Sequence, residues 1–238
     1  MPDFSMRSLL PEEMDEENVP IATTQQALCE IEFINKWLGG YNVILGALSH
    51  LRWSERTITI MDIGSGGGDM LRKISTWAKK NNKSVRLIGI DRNAAMTEFA
   101  AKRSTTFDNI EYITMSVFDS RLLDIKADIT MSSLFCHHFD NKELVNVVRN
   151  MNQLATQSML INDLDRHWLA YYLIKVLTAV FSKNRLVKYD APLSVARALN
   201  RKEWKGILQQ AGIHNYSLRW MWAWRWQIII HKNDTNVA

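Results

Sequence analysis

The chain has 238 residues, of which 47% are hydrophobic and 23% charged, ordinary values for a soluble globular protein. That length suits one domain with a full core, and a net charge of only +4 argues against nucleic acid as the partner. Two distant cysteines, Cys29 and Cys136, form no metal or redox motif and point to a reducing, cytoplasmic setting.

Residues 1–20 carry six acids and one Arg and read as a flexible, loosely attached segment without the apolar core of a targeting signal. Residues 21–56 read as helices, with Ile31, Ile34, Leu38 and then Ile44, Leu45, Leu48 at helical spacing, broken at Gly39-Gly40. From 57 onward short β-type runs alternate with amphipathic helices. The strands are expected at 57–63, 85–91, 110–118, 127–135 and 158–164, and the helices at 68–80, 94–103 and 141–154. A long helical region at 166–182 follows, then a helix at 201–211, and last two runs, "YSLRW" and "RWQIIIH", close enough to pair as a hairpin. The apolar stretch 167–181 contains Lys175 and falls short of the ~20 residues of a membrane span, so it reads as a buried or lid helix. This order predicts an α/β, Rossmann-like fold: a mostly parallel seven-stranded sheet with a C-terminal antiparallel hairpin, in a domain over 57–238 that carries a helical lid at about 165–200.

The stretch "IMDIGSGGGDML" at 60–71 sets four glycines in five positions behind a lone Asp62. Such a turn between a strand and a helix lets a ligand approach the backbone closely. A dinucleotide loop would place Gly or Ala where Asp69 stands, and an acid there would face phosphate; a Walker loop needs a Gly-Lys-Ser/Thr that is missing. The pattern acid-x-Gly-x-Gly-x-Gly is complete in Asp62, Gly64, Gly66 and Gly68. This resembles the first motif of class I S-adenosylmethionine-dependent methyltransferases. An acid at the strand end can hold the ammonium of that cationic cofactor, where a phosphate ligand would be repelled.

The resemblance implies further roles. Asp91, ending the second strand, would hold the ribose diol, and Asp119 with Phe118, after the third, would hold the adenine. Ser65, Arg92 and Ser132 complete the implied set for S-adenosyl-L-methionine. The fourth strand runs into "SSLFCHHFD", which lacks the Pro-Pro-aromatic motif of nucleobase methyltransferases. His137-His138 resembles the step found in many small-molecule methyltransferases, including those of ubiquinone and menaquinone pathways. One of the two would orient an acceptor oxygen or take its proton, and neighbours facing opposite ways leave at most one pointing inward.

Asp163-Leu164-Asp165-Arg166, Ala170-Tyr171-Tyr172, Tyr189-Asp190 through Arg197-Ala198, and "INKWLGG" at 34–40 resemble a bacterial group of methyltransferases associated with type III polyketide synthases. That resemblance implies a hydrophobic, aromatic acceptor, methylated on oxygen in preference to carbon, with Asp163, Arg166, Trp168, Tyr172 and Arg197 facing it. A quinone-pathway carbon methyltransferase and a catalytically silent S-adenosylmethionine-binding protein are the alternatives. No metal, nucleic acid or transmembrane segment is expected, and an oligomer is left open. The aromatic stripe can equally be core packing, and Arg166 and Arg197 can equally be salt-bridged. Tryptophans at 220, 222, 224 and 226 would share one face if the segment were extended.

Overall fold

A computed structural model describes residues 3–16 and 18–232. Residues 1, 2 and 17 of the expected N-terminal segment and 233–238 of the expected domain lie outside the described residues. Two helices, α1 (Ile21–Trp37) and α2 (Gly40–Ser49), precede the sheet and are separated by Leu38 and Gly39, the latter left-handed at φ 70°. The strands are β1 (Ile58–Ile63), β2 (Val85–Asp91), β3 (Ile110–Thr114), β4 (Ala127–Ser133), β5 (Ala155–Leu164), β6 (Tyr216–Met221) and β7 (Arg225–His231). Between them run α3 (Asp69–Lys80), α4 (Ala94–Arg103), α5 (Asn141–Leu154), α6 (Trp168–Phe181), α7 (Arg185–Arg197) and α8 (Arg201–Gln210).

The strands form one sheet in the order β3-β2-β1-β4-β5-β7-β6. The first five are parallel, while β7 runs antiparallel to both β5 and β6. The expected fold is the observed one. The central strands are buried on both faces, as parallel strands under helices must be. Ile58 and Ile60 of β1 pack with Ile44 of α2 and Leu71 of α3, whereas Met61 and Ile63 pack with Val148 of α5 and Trp204 of α8.

The order places the ligand end. Strands β1 and β4 are neighbours, but the chain leaves β1 toward β2 on one side and returns to β4 on the other. The crevice beyond their carboxyl ends is where ligands bind in open α/β sheets. Helices α6 and α7, from the region expected to form a lid, pack together over that crevice, and α7 also touches α1.

Two expectations change, and a third is made definite. Strand β3 stops at Thr114, four residues short of the expected end, and the bond from Met115 N–H to Asp91 O is its last to β2. Residues 3–16 are docked, not loose: Ser8 N–H donates to Ala196 O, and Asp190 accepts from the N–H groups of Glu13 and Met14. The tryptophan segment is a hairpin corner, as expected, and not extended throughout, so the four rings do not share a face. Trp222 and Trp224 lie in the β6–β7 turn, where Trp224 is left-handed at φ 52°, and only Trp220 and Trp226 stand opposite each other. No described helix is long and apolar enough to cross a membrane.

Candidate functional site

The crevice is a cavity of about 900 Å³, within the range of small-molecule sites. Its floor is built from the segments that follow β1, β2, β3 and β4, its sides from α1 and the β6–β7 turn, and its roof from α6, α7 and residues 12–15.

At the glycine end, Gly64, Gly66 and Gly68 all have positive φ, at 75°, 49° and 71°. Both Gly64 and Ser65 donate backbone N–H to Ile90 O, which ties the loop to the end of β2. A Cβ on Gly64 would stand 2.2 Å from the Phe135 ring and one on Gly68 2.1 Å from the Tyr112 hydroxyl, so neither position has room for a side chain. Gly64 and Gly66 line the cavity, while Gly68 sits behind the loop at the start of α3.

Three carboxylates converge there. Asp62 is 2% exposed, borders the cavity, and has Oδ1 buried with no hydrogen-bond partner. Burial raises its pKa well above the ordinary carboxylate value, and Asp69 and Asp91 push the same way. Asp69 accepts a 2.7 Å bond from the Tyr41 hydroxyl and is likewise raised, chiefly by burial. Asp91 accepts from Gly66 N–H and Asn93 N–H, both at 2.9 Å, and burial outweighs those bonds to raise its pKa. A buried acid with an unpartnered oxygen is costly unless a ligand supplies the missing donor or cation. An ammonium supplies both, so the residues present fit the cationic cofactor. The Ser65 hydroxyl is also buried and unpartnered, and Ser65 borders the cavity beside Asp62.

Arg92 and Phe118 also border the cavity, with Phe118 edge-on to Phe139 at 5.7 Å between centroids. Asp119 and Ser132 do not. The Asp119 carboxylate is taken by Arg121, through Nη2 at 2.6 Å and backbone N–H at 2.9 Å, and these bonds lower its pKa to about 2. Ser132 is buried against Cys136, with Oγ and Sγ 3.5 Å apart.

At the other end, Cys136–His138 form a single 3-10 turn after β4. Both histidines border the cavity, with rings stacked at 4.6 Å, so the expectation that only one faces inward is corrected. A turn of this kind does not alternate its side chains as a strand does. Asp163, at the end of β5, holds His137 twice: Oδ1 lies 2.6 Å from Nδ1, and Oδ2 accepts from the backbone N–H. Burial opposes the Asp163 charge, but His137 outweighs it and keeps the carboxyl below its usual range. The Nδ1 of His138 lies 2.7 Å from Asp15 Oδ2. Burial works against the charged form of His138, yet Glu12, Asp15 and Asp163 together raise it to about 9.

The five residues expected at the acceptor do not line the cavity. Arg166 points away into a sealed junction, bidentate to Glu203 at 2.7 and 2.8 Å and bonded to Phe4 O and Ala198 O. Arg197 donates to the carbonyls of His137, His138 and Leu10. Trp168 is more than half exposed on the outer side of α6, Tyr172 packs edge-on to Tyr171, and Asp163 is bonded to His137. The wall is instead apolar: Leu28, Ile31 and Ile34 from α1, and Ile174 and Leu177 from α6.

Sequence reasoning also missed Glu12, Asp15 and Arg225. Arg225 is 3% exposed, borders the cavity, and bonds through Nη2 to Asn35 at 2.9 Å, while its Nε and Nη1 have no partner. Burial lowers it to about 10. The even-spaced aromatic run around it masked this arginine.

Comparison with known proteins agrees with the geometry. Residues 60–157 match the family described as "Methyltransferase domain". No curated protein matches by sequence. Among solved structures, an O-methyltransferase family protein from Burkholderia thailandensis is 17% identical with a TM-score of 0.63, covering 90% of this chain and 60% of that one. A candidate S-adenosyl-L-methionine-dependent methyltransferase from Methanococcus maripaludis is 18% identical with a TM-score of 0.61, covering 94% and 99%. The CMeT domain of the citrinin polyketide synthase is 14% identical with a TM-score of 0.58, covering 77% and 48%. The chain thus spans about half to three-fifths of the length of the first and third of these. Residues 60–157 thus match a methyltransferase domain, the cofactor that goes with that match is S-adenosyl-L-methionine, and the described chain has the Rossmann-like fold of these methyltransferase structures.

Proposed function

We propose that this chain transfers the methyl group of S-adenosyl-L-methionine to an oxygen of a hydrophobic, aromatic small molecule. The observation that carries the reading is Asp62: a buried carboxylate, unpartnered on one oxygen, at the glycine end of a cavity whose α1 and α6 wall is apolar. It is the natural seat for the methionine ammonium. Gly64, Ser65 and Gly66 pass beneath the methionine chain, Asp91 takes the ribose hydroxyls, and Arg92 flanks them. Phe118 lies along the adenine. Asp119 belongs to that end only if adenine displaces Arg121, and Ser132 and Gly68 act behind the surface by shaping β4 and the loop.

The acceptor then lies between the lid and the histidine turn. Methyl transfer is an in-line displacement, so the domain's main task is alignment. The wall from Leu28 to Leu177 suits an aromatic ring, and His137 and His138 orient its oxygen. Asp163 fixes His137, while Arg166 and Arg197 hold the turn and the roof in place. Trp168 and Tyr172 shape the lid from outside. The small net charge gives nucleic acid no footing as acceptor.

The test is calorimetry with S-adenosyl-L-methionine and, separately, NADH, followed by labelled methyl donor with phenols and quinols. Micromolar binding of the first alone and label on a phenol oxygen are expected. Label on ring carbon would move the chain to the quinone-type carbon methyltransferases. Binding without transfer to any acceptor would favour a silent binding protein. A folded sample that binds NADH and not S-adenosyl-L-methionine would sink the proposal.

A further inference from the structure

We propose that Glu12, His137 and His138, brought together by residues 12–15 crossing the 3-10 turn after β4, bind a divalent transition-metal ion in the cavity wall. One donor atom from each residue lies within 4.8 Å of the other two. His137 Nε2 is 3.5 Å from Glu12 Oε1, and His138 Nε2 is 3.8 Å from Glu12 Oε2. Ligands around a Zn²⁺ or Co²⁺ ion sit about 2.0–2.2 Å from the metal and so roughly 3–3.5 Å from one another, and the observed separations of 3.5 Å, 3.8 Å and at most 4.8 Å must close inward to reach that spacing.

The second observation is independent of that spacing. A metal-bound histidine hands its other ring nitrogen to a carboxylate or carbonyl, which fixes the tautomer and the aim of the ring. Both histidines do this here: Nδ1 of His137 meets Asp163 at 2.6 Å, and Nδ1 of His138 meets Asp15 at 2.7 Å. Each Nε2 is therefore left facing the same Glu12 carboxylate. That carboxylate is itself aimed, because Ser194 Oγ donates to Oε1 at 2.9 Å. The opposing feature is Arg197, whose Nε lies 3.7 Å from Glu12 Oε1 and already offsets part of its charge.

The donor set is two imidazoles and one carboxylate. It favours Zn²⁺, Co²⁺, Mn²⁺ or Fe²⁺ over Mg²⁺ or Ca²⁺, which prefer all-oxygen ligands. All three residues border the cavity, so an ion held by them would be open to it. An acceptor oxygen bound there would be oriented by the ion as well as by the wall. That use rests on the methyl-transfer reading, whereas metal binding itself does not.

The experiment titrates the full chain, stripped with a chelator, with Co²⁺ followed by visible absorption and with Zn²⁺ followed by calorimetry. One ion per chain and ligand-field bands of nitrogen-bound Co²⁺ are expected. Glu12→Gln and His138→Ala should each weaken binding at least about tenfold, and Asp163→Asn about 10- to 100-fold through His137. His214→Ala, on the surface away from the cavity, should leave it unchanged. S-adenosyl-L-methionine binding, measured on every variant, reports that the fold and the opposite end of the cavity are intact. Wild-type binding that persists in both Glu12→Gln and His138→Ala would overturn the site, as would a Co²⁺ spectrum no different from that of the free ion. Cofactor binding and methyl transfer without metal binding would remove this inference alone. Metal binding without cofactor binding would keep it and remove the function proposed above.

Discussion

The ribose assignment of Asp91 can be tested by its removal. The carboxylate already accepts from Gly66 N–H and Asn93 N–H, one on each oxygen. A carboxylate has about four acceptor sites, so about two remain for two ribose hydroxyls. Hydrogen bonds to a charged partner are worth about 1.5–3 kcal/mol each, for a ceiling of about 3–6 kcal/mol. Water entering the space left by Asp91→Ala recovers part of that, and the buried carboxylate carries an ionisation cost of its own. The low end, about 3 kcal/mol, is the appropriate figure, and it corresponds to roughly 100-fold weaker binding. Asp91→Asn keeps one acceptor oxygen and should lose about tenfold by the same reasoning. Calorimetry with S-adenosyl-L-methionine and with S-adenosylhomocysteine reads both variants. The two ligands share the ribose and differ in sulfonium charge, so Asp91→Ala should weaken them by similar factors. An affinity within about threefold of wild type, or a loss confined to the charged ligand, would show that Asp91 does not hold the ribose.

Asp62 has a raised folded-state pKa, so its contribution to stability without ligand is present at low pH and is lost as pH rises through that pKa. Melting curves from about pH 4 to about pH 8 should show this decline, cofactor should offset it increasingly toward high pH, and Asp62→Asn should flatten it while abolishing tight cofactor binding. Arg166→Met should destabilise the fold by about 3 kcal/mol in a denaturant melt, since it strands Glu203, yet leave turnover per folded molecule nearly unchanged; a specific loss of acceptor affinity would restore Arg166 to the pocket. Gly64→Ala should cost about 2–5 kcal/mol, from left-handed backbone and collision with Phe135, and a neutral result in the same melt would mean that the loop relaxes freely.

Strand-end acids were the most legible part of the site. Asp62 and Asp91 could be placed because a parallel strand delivers its last residue to the crevice, and the position follows from the hydrophobic run that precedes it. Asp119 had the same local signature, but Arg121 two residues later captures its carboxylate, and nothing in a one-dimensional pattern decides whether such a pair closes. Arg166 and Arg197 failed for a related reason. Their partners are residues distant in the chain: Glu203 in the first turn of α8, and the carbonyl groups of the histidine turn and of Leu10. Both histidines of the expected step border the cavity, but the alternation assumed for their two rings belongs to extended chain.

The most consequential misreading was the acidic segment at the start of the chain, and its docking follows from a need of the core. Arg7, Arg166 and Arg197 all carry guanidinium groups into the junction between the histidine turn, α7 and α8. Each donates to backbone carbonyls: Arg7 to Phe139 and Arg197, Arg166 to Phe4 and Ala198, and Arg197 to His137 and His138. Buried guanidinium is tolerable only where nearly every N–H finds an acceptor. Regular helices and strands use up their own carbonyls, so an irregular segment is the available source, and residues 4–10 supply Phe4, Ser5 and Leu10. Once laid across the junction, the same segment carries Glu12 and Asp15 onto the two histidines. Its acids, which in isolation suggest a solvated tail, become part of the roof over the histidine end of the cavity. Arginines that look like substrate contacts in the sequence therefore have a different task. They fasten the segment whose carboxylates face the cavity.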